Sequence, residues 1–321
     1  MKNITISVLF CLFITSNILS QNVVNQYSDV DVSVEYTTKD GKLHGQYLSY
    51  YPDGSKKAKG SFRNNQRTGM WKLWNESGKL IETRKYQNNL VYAYPNDDME
   101  DVIPYQPQRN EEGLYSFYKI TEQMAAFSKR TISVILPEDN PALFNGAPFL
   151  KLLKENQGDE NFQAIEVYDD YSTKPLELPQ QENMKIIGYK IMQEFVYDTV
   201  RMILEPRIVF IAPVILDVVN EGLYDNNWLS FESIYPAMAS IEINIPGWQP
   251  EITTLADVFF WQAYTYRIVQ ADEFNSGFSE ASISPEAFKE KTVMDKIIAN
   301  SDNKRIQFIE LEHDLWSRHH R

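Results

Sequence analysis

Four histidines, a few runs of neighbouring carboxylates and one cysteine are the side chains of this 321-residue chain with the chemistry to cleave, transfer or hold a metal. The histidines are His44, His313, His319 and His320. Glu312-His313-Asp314 would make an acid–base or ligand set only if the three converged. On a helix, adjacent residues point in different directions. A lone histidine also falls short of a metal's ligand count. His313 is therefore expected to take a hydrogen-bonding role near a helix end, and His319 and His320 to be solvated in the tail. Asp169-Asp170 are sequence neighbours, not the opposed carboxylates that glycoside chemistry needs, and an Asx turn accounts for them. The Asp97, Asp98, Glu100, Asp101 run lacks the spacing and glycine of a calcium loop. No His-Glu-x-x-His, Gly-x-Ser-x-Gly or glycine-rich phosphate loop occurs. The residues thus indicate a chain that is not an enzyme, with no catalytic, cofactor-binding or metal site.

Composition narrows the classes further. There are 44 acidic and 31 basic residues, a net charge of −13. Such a balance disfavours nonspecific nucleic-acid binding and anionic lipid surfaces. A 43% hydrophobic fraction excludes a wholly disordered chain, and the length suggests two domains. Residues 1–20 place Lys2 before an apolar run from Ile4 to Ile18 and end on a small residue. This is a secretory signal pattern, with cleavage expected between Ser20 and Gln21; an uncleaved anchor helix is the other reading. Cys11 sits inside the apolar run after bulky Phe10, which excludes a lipid-attachment role. Cleavage would leave a mature chain without cysteine, suited to an oxidising compartment.

The elements that follow divide in two. Residues 22–92 contain an internal repeat of 24 residues: Asp40–Phe62 is echoed by Asn64–Tyr86. Gly45 matches Gly69, Gly54 matches Gly78, Tyr47 matches Trp71, Tyr50 matches Trp74 and Phe62 matches Tyr86. Each unit reads as a β-hairpin, and lone hairpins are marginal, so the units must stack edge to edge. Val30, Val32 and Val34 alternate as a further strand. If Tyr47, Tyr50, Trp71 and Trp74 are exposed in a row, they are candidate surface aromatics for binding; if buried, the repeats are a spacer.

Charge divides the chain along the same line. Residues 40–90 hold ten basic and four acidic groups, net +6, whereas 91–321 hold 19 basic and 37 acidic groups, net −18. Two readings stay open: a docking or intramolecular contact, or Lys-rich strands guarding sheet edges. Residues 93–113 are acidic, proline-bearing and non-periodic, which reads as a linker.

Beyond it, helical spacing of Leu114, Phe117, Tyr118 and Met124 predicts a helix over 114–130, and a second is predicted over 143–155 with its start near Pro148. Alternation predicts strands at 187–197 and 241–245. The apolar run 208–216 reads as a central strand that ends or bulges at Pro213. Thr254 and Asp257 form a capping box, and Ser284-Pro285-Glu286 opens a mostly helical end that breaks near Asn300-Ser301. The expected class is α+β: an antiparallel-sheet domain with flanking helices, preceded by a small β-meander of hairpin repeats.

Two resemblances emerge from these residues. The repeats resemble MORN-type repeats of YwqK-like proteins, which implies a binding or spacer module. The segment 103–316 resembles the GldN/PorN family of the type IX secretion and gliding machinery of Bacteroidetes. Ile103-Pro104-Tyr105-Gln106-Pro107-Gln108-Arg109 is similar to its IPYxPxR entry, and Tyr168–Leu176 to its YDDDxFTxPL segment. Arg207–Pro213 is similar to its RIIGIAP strand, and Tyr235-Pro236 to its YYPEAR. Asp257–Trp261 resembles its DDIFW, and Glu312–Trp316 matches its EHDLW. The resemblance implies a periplasmic, non-enzymatic subunit that assembles with a GldK/PorK-like outer-membrane lipoprotein and a GldM/PorM-like shaft protein, as a homo-oligomer or ring. The alternative is an exported cell-wall- or carbohydrate-binding module using the aromatic, basic repeats.

Overall fold

The computed structural model describes residues 21–27, 32–39, 42–95, 103–165, 172–176, 178, 183–224, 228–245, 248, 252–271 and 283–319; of 21–27, 32, 318 and 319 only the backbone is described. Seven strands form a first antiparallel sheet in chain order: β1 (Gln21–Tyr27), β2 (Val32–Lys39), β3 (Lys42–Tyr50), β4 (Lys56–Arg63), β5 (Gln66–Trp74), β6 (Leu80–Gln87) and β7 (Leu90–Ala93). The 24-residue repeat is structural, because β3–β4 and β5–β6 start and end 24 residues apart. Gly54 and Gly78 hold equivalent turns at φ 84° and 77°, a region open to glycine. Asn64-Asn65 and Asn88-Asn89 supply the left-handed pairs of two-residue turns. Asn65 Oδ1 accepts from Leu43 N at 2.7 Å, and Asn89 Oδ1 repeats this with Arg67 N at 2.6 Å.

The second sheet is built around a long hairpin. This part begins with β8 (Ala125–Ile135), α1 (Pro141–Phe144) and α2 (Pro148–Glu155), and β9 (Gln163–Ile165) and β10 (Thr173–Pro175) pair as a separate two-stranded sheet. The hairpin strands β11 (Met184–Asp198) and β12 (Ile203–Asp217) follow, then the short β13 (Leu223–Tyr224) and β14 (Leu229–Ser230). Next come α3 (Phe231–Ile234), α4 (Leu255–Phe260), β15 (Arg267–Ala271), α5 (Lys291–Ile298) and α6 (Ser301–His319). The strand order is β13-β12-β11-β8-β15, with β14 also on β12. Sheets in both parts and helices at the flanks make the fold α+β, as the sequence indicated. One contiguous apolar core runs from Val34, Tyr47 and Trp71 in the first sheet to Tyr189, Phe259 and Trp316 in the second part.

Three local expectations are corrected. Residues 114–120 carry no regular element beyond the bridge of Tyr115 to Arg109, and 125–135 form β8 instead of a helix. Phe117 meets Tyr235 and Phe260, Tyr118 meets Tyr105 and Arg201, and Leu114 is buried, so their spacing reflects contacts across the fold, while Thr131, Ile132, Val134 and Ile135 favour a strand. Residues 241–245 make one isolated bridge, Glu242 to Thr254, not a strand, because the preceding 3-10 turn (Ala237–Ser240) leaves Ile241 buried at the mouth of α4. Pro213 neither ends nor bulges its strand: it pairs with Tyr189 and β12 runs on to Asp217. On the other side β14 covers Phe210 and Ile211 and β13 covers Ile215 and Leu216, so no ladder bond is described there for a missing N–H to break.

Candidate functional site

The repeat sheet meets α6 along a buried charged seam. In β4, Lys56 pairs with Tyr50 and Ala58 with Ser49, so Lys57 is the extra residue of a bulge and turns inward. Its Nζ lies 2.7 Å from Glu310 Oε2 and 2.7 Å from Asp314 Oδ1. Glu310 Oε1 also accepts from Tyr47 Oη at 2.5 Å and contacts His313 Nδ1 at 2.9 Å. Round the other side of the helix, Arg67 reaches Glu312 Oε2 at 2.8 Å. Arg84 stands 4.0 Å from Glu312 Oε1 and 3.7 Å over the Trp316 ring, and donates to the Met202 carbonyl at 2.7 Å. Positions 310, 313 and 314 share one helix face and 312 and 316 the next, so both faces of one helix engage the basic strands.

Burial and charge set the protonation states here. Burial opposes ionisation of Glu310, but His313 and Lys57 hold its carboxyl far below the usual range. Burial likewise pulls the Lys57 ammonium down, and Glu310 with Asp314 outweighs it, leaving Lys57 above its ordinary value. Burial lowers the His313 pKa more than Glu310 raises it, and its Nδ1 stays within hydrogen-bonding distance of Glu310 Oε1.

A second lock joins the strap 103–118 to α4. Arg109 Nη2 lies 2.9 Å from Asp257 Oδ1 and its guanidinium sits 4.2 Å over Tyr115. Asp257 Oδ2 accepts from Thr253 N, Thr253 Oγ1 and Thr254 N, and Thr254 Oγ1 accepts from Asp257 N at 3.2 Å. The expected capping box is therefore present and also carries the strap. Burial raises the Asp257 pKa, and Arg109 and Thr253 overcome this to hold it below normal. Tyr115 stacks on Phe260 at 4.9 Å and its carbonyl accepts from Tyr235 Oη at 3.0 Å.

The residues singled out by sequence now have places. Tyr47 and Trp71 are interior, 0% and 1% exposed, because alternate side chains of β3 and β5 face α6. Tyr50 and Trp74 lie on the opposite face, half-buried, with Lys56 Nζ 5.2 Å from the Trp74 ring. The four do not form one exposed row, and the platform they would have offered to a sugar is absent. His313 is 0% exposed inside α6, not at a helix end. His44 lies in β3 with Nδ1 3.2 Å from Asn64 Oδ1. Ser20, the Asp97–Asp101 run, Asp169-Asp170 and His320 lie outside the described residues, as does the side chain of His319; Gln21 opens β1. Among the described residues no three His, Cys, Asp or Glu side chains are placed to hold a metal. No described helix is long and apolar enough to cross a membrane.

Motif residues far apart in sequence thus meet: Arg109 with Asp257, Tyr115 with Tyr235, and Glu312 to Trp316 with the basic strands. The family model described as gliding motility associated protein GldN matches residues 79–317, about three quarters of the chain. The chain belongs to the GldN family. No curated protein matches it. The GldN match begins in the second repeat, so it includes β6 and β7 with Glu82, Arg84 and Tyr86, whereas Tyr47, Lys57 and Arg67 precede it. Sequence reasoning missed Lys57, Arg67, Arg84 and Glu310. The +6 and −18 halves carried the signal, but not which faces oppose.

Proposed function

We propose that this GldN-family protein is a non-enzymatic structural subunit of the gliding and type IX secretion machinery, working in the periplasm after signal cleavage between Ser20 and Gln21. It assembles by protein–protein contact with a GldK/PorK-like outer-membrane lipoprotein and a GldM/PorM-like shaft protein. Family membership over residues 79–317 carries this reading. The use of the motif residues supports it: their charges are spent on internal locks that shape the chain, not gathered round a reacting centre. The outward face of the repeat sheet supports an assembly role as well. Lys59 and Lys72 stand directly opposite each other there, with Lys85 and the exposed Met70 on the neighbouring pair. Like charges placed opposite each other favour an acidic counterpart.

The test is purification of the tagged mature chain from cell envelopes. Co-purification with an outer-membrane lipoprotein, and its loss in the Lys59→Glu/Lys72→Glu variant, is the expected result. Recovery of a lone monomer, with normal protein secretion after deletion of the gene, would reject the proposal.

A further inference from the structure

A groove of about 700 Å³ opens at one end of the repeat sheet, between its turns and the segments 139–143 and 263–265. Hydrogen bonds between these parts fix its frame. Asn140 Oδ1 accepts from Thr265 N at 2.6 Å, and Asn140 Nδ2 donates to the Thr265 carbonyl at 2.8 Å. Gln66 Nε2 donates to the Gln262 carbonyl at 2.8 Å, and Lys42 Nζ to the Asp139 carbonyl at 3.2 Å. The Asp139 carboxylate pairs with Arg267 at 3.0 Å. The groove therefore stands preformed, at a size that holds a ligand of more than one ring.

The accessible lining is polar, and it repeats. Arg63, Asn64 and Gln87 are exposed on the groove, and Asn88 is half-buried there. Arg63 and Gln87 are equivalent positions 24 residues apart, as are Asn64 and Asn88, and Thr68 and Tyr92. Each pair stands two strands apart, on β4 and β6 or on β5 and β7 and their turns, a separation of about 9–10 Å. Among the described residues Arg63 has no ion pair and Gln87 no side-chain hydrogen bond. Tyr92, 44% exposed, and the half-buried Trp248 add aromatic surface. The charged lining is Lys42, Arg63 and Asp139, a net of one positive unit. That is too little for a phosphate polymer. Side-chain amides both donate and accept, and with ring faces they match the hydroxyl and acetamido groups of hexoses.

We propose that this groove binds a glycan chain of β-linked, N-acetylated hexoses, with Asn64, Gln87 and Asn88 meeting its hydroxyl and acetamido groups and Tyr92 lying against a sugar face. In such a chain alternate units face the same way, so its two-unit repeat is on the scale of the two-strand spacing of the lining. A polyproline helix, which repeats at about 9 Å, is the competing occupant. It docks in grooves lined by aromatic rings, whereas the repeated positions here carry amides, so the glycan is favoured. None of Tyr47, Tyr50, Trp71 and Trp74 lines the groove, and neither do Lys59 and Lys72 of the outward face. The inference therefore does not depend on the assembly role.

The test titrates the full mature chain, without partners, calorimetrically with chitotetraose, cellotetraose and a polyproline peptide. Saturable binding of chitotetraose is expected, with cellotetraose about fivefold weaker for want of the acetamido hydrogen bonds. Tyr92→Ala is expected to weaken chitotetraose about fivefold or more with the Tm unchanged, because the side chain is exposed, whereas Tyr92→Phe keeps the ring and the affinity. Gln87→Ala is expected to weaken chitotetraose as well; this exposed turn position carries the test should Tyr92→Ala fail to fold. No saturable binding of chitotetraose up to about 5 mM, equal affinity for the two glycans, tighter binding of the polyproline peptide, or an affinity unmoved by both alanine variants would overturn the assignment.

Discussion

Replacing Lys57 by methionine is the sharpest probe of the seam. Lys57 is 1% exposed and stands 2.7 Å from both Glu310 and Asp314. Methionine keeps the apolar stem in its bulge and deletes only the ammonium. Glu310 is then stranded inside the protein, and removing one member of a buried pair costs about 3–5 kcal/mol. The lower end is expected here, because Tyr47 Oη and His313 Nδ1 still serve Glu310 Oε1 and because Asp314 is partly open to water. A loss of about 3 kcal/mol corresponds to a Tm lowered by roughly 5 °C for a chain of this size. The assay is urea and thermal unfolding of the mature chain, followed by circular dichroism at low and high salt. A pair held out of solvent is little screened, so the loss must persist at about 1 M NaCl. Adding Glu310→Gln should restore part of the stability, since the stranded charge goes with it. A loss below about 1 kcal/mol, or one that salt erases, would show that the seam is a solvated surface contact and would refute its structural role.

Other perturbations test the remaining contacts. A Cβ on Gly60 would stand 2.0 Å from the Trp71 ring, which is wedged between Tyr47, Phe62 and His313, so Gly60→Ala is expected to cost about 2–3 kcal/mol. Gly188→Ala meets only Phe288, a half-buried ring packed against a smaller cluster; chemical denaturation should rank it milder. Arg109→Ala releases the strap, and limited proteolysis should then cut within 103–118; the pair is partly exposed, so a stability loss of only about 1 kcal/mol is expected. Glu310 and Asp257 both have pKa values lowered by folding. Their stabilisation is complete above the unfolded carboxyl values near 4, and it is lost as pH falls through the folded ones. A pH series of melting curves should be flat above about pH 7, decline as pH falls through the unfolded histidine value near 6.5 because folding lowers the His313 pKa, and fall more steeply below about 4; a flat profile down to about pH 2 would contradict the assigned directions.

Regular local chemistry was legible in the sequence. The 24-residue repeat, its glycine turns and the aromatic matches located the hairpins, because each signal acts within a few residues. The apolar run at 208–216 and the Thr254–Asp257 box were legible for the same reason. What failed was local pattern produced by distant contacts. Leu114, Phe117 and Tyr118 fall at helical spacing, yet they lie on an irregular strap whose side chains meet α4, the α3 turn and Arg201. His313 looked like a helix-end residue because nothing local says that Trp71, Tyr47 and Trp316 close round it. The candidate aromatics divided between the two faces of their sheet for the period-2 reason that makes strands recognisable. Tyr47 and Tyr50 lie three residues apart, as do Trp71 and Trp74, so neither pair could share a face.

The two repeats also show how duplication became a joint between unlike parts. Lys57 and Ile81 occupy equivalent bulges, 24 residues apart, and both are buried. In the first repeat the bulge delivers a charge to Glu310; in the second it delivers an apolar side chain to the core. Gly60 and Arg84 are likewise equivalent. Over Gly60 the space is filled by the Trp71 ring from the next strand, whereas Arg84 fills its own space and reaches Trp316 and Met202. Swapping either residue for its counterpart would fail for a different reason: an arginine at 60 would collide with Trp71, and a glycine at 84 would leave Glu312 with Arg67 alone. The repeat preserves the strand scaffold, and divergence at inward positions fits that scaffold to the two faces of α6. The sheet is therefore a mate to the terminal helix, and the helix residues that resemble the family's EHDLW motif have a physical task in this chain that requires no substrate.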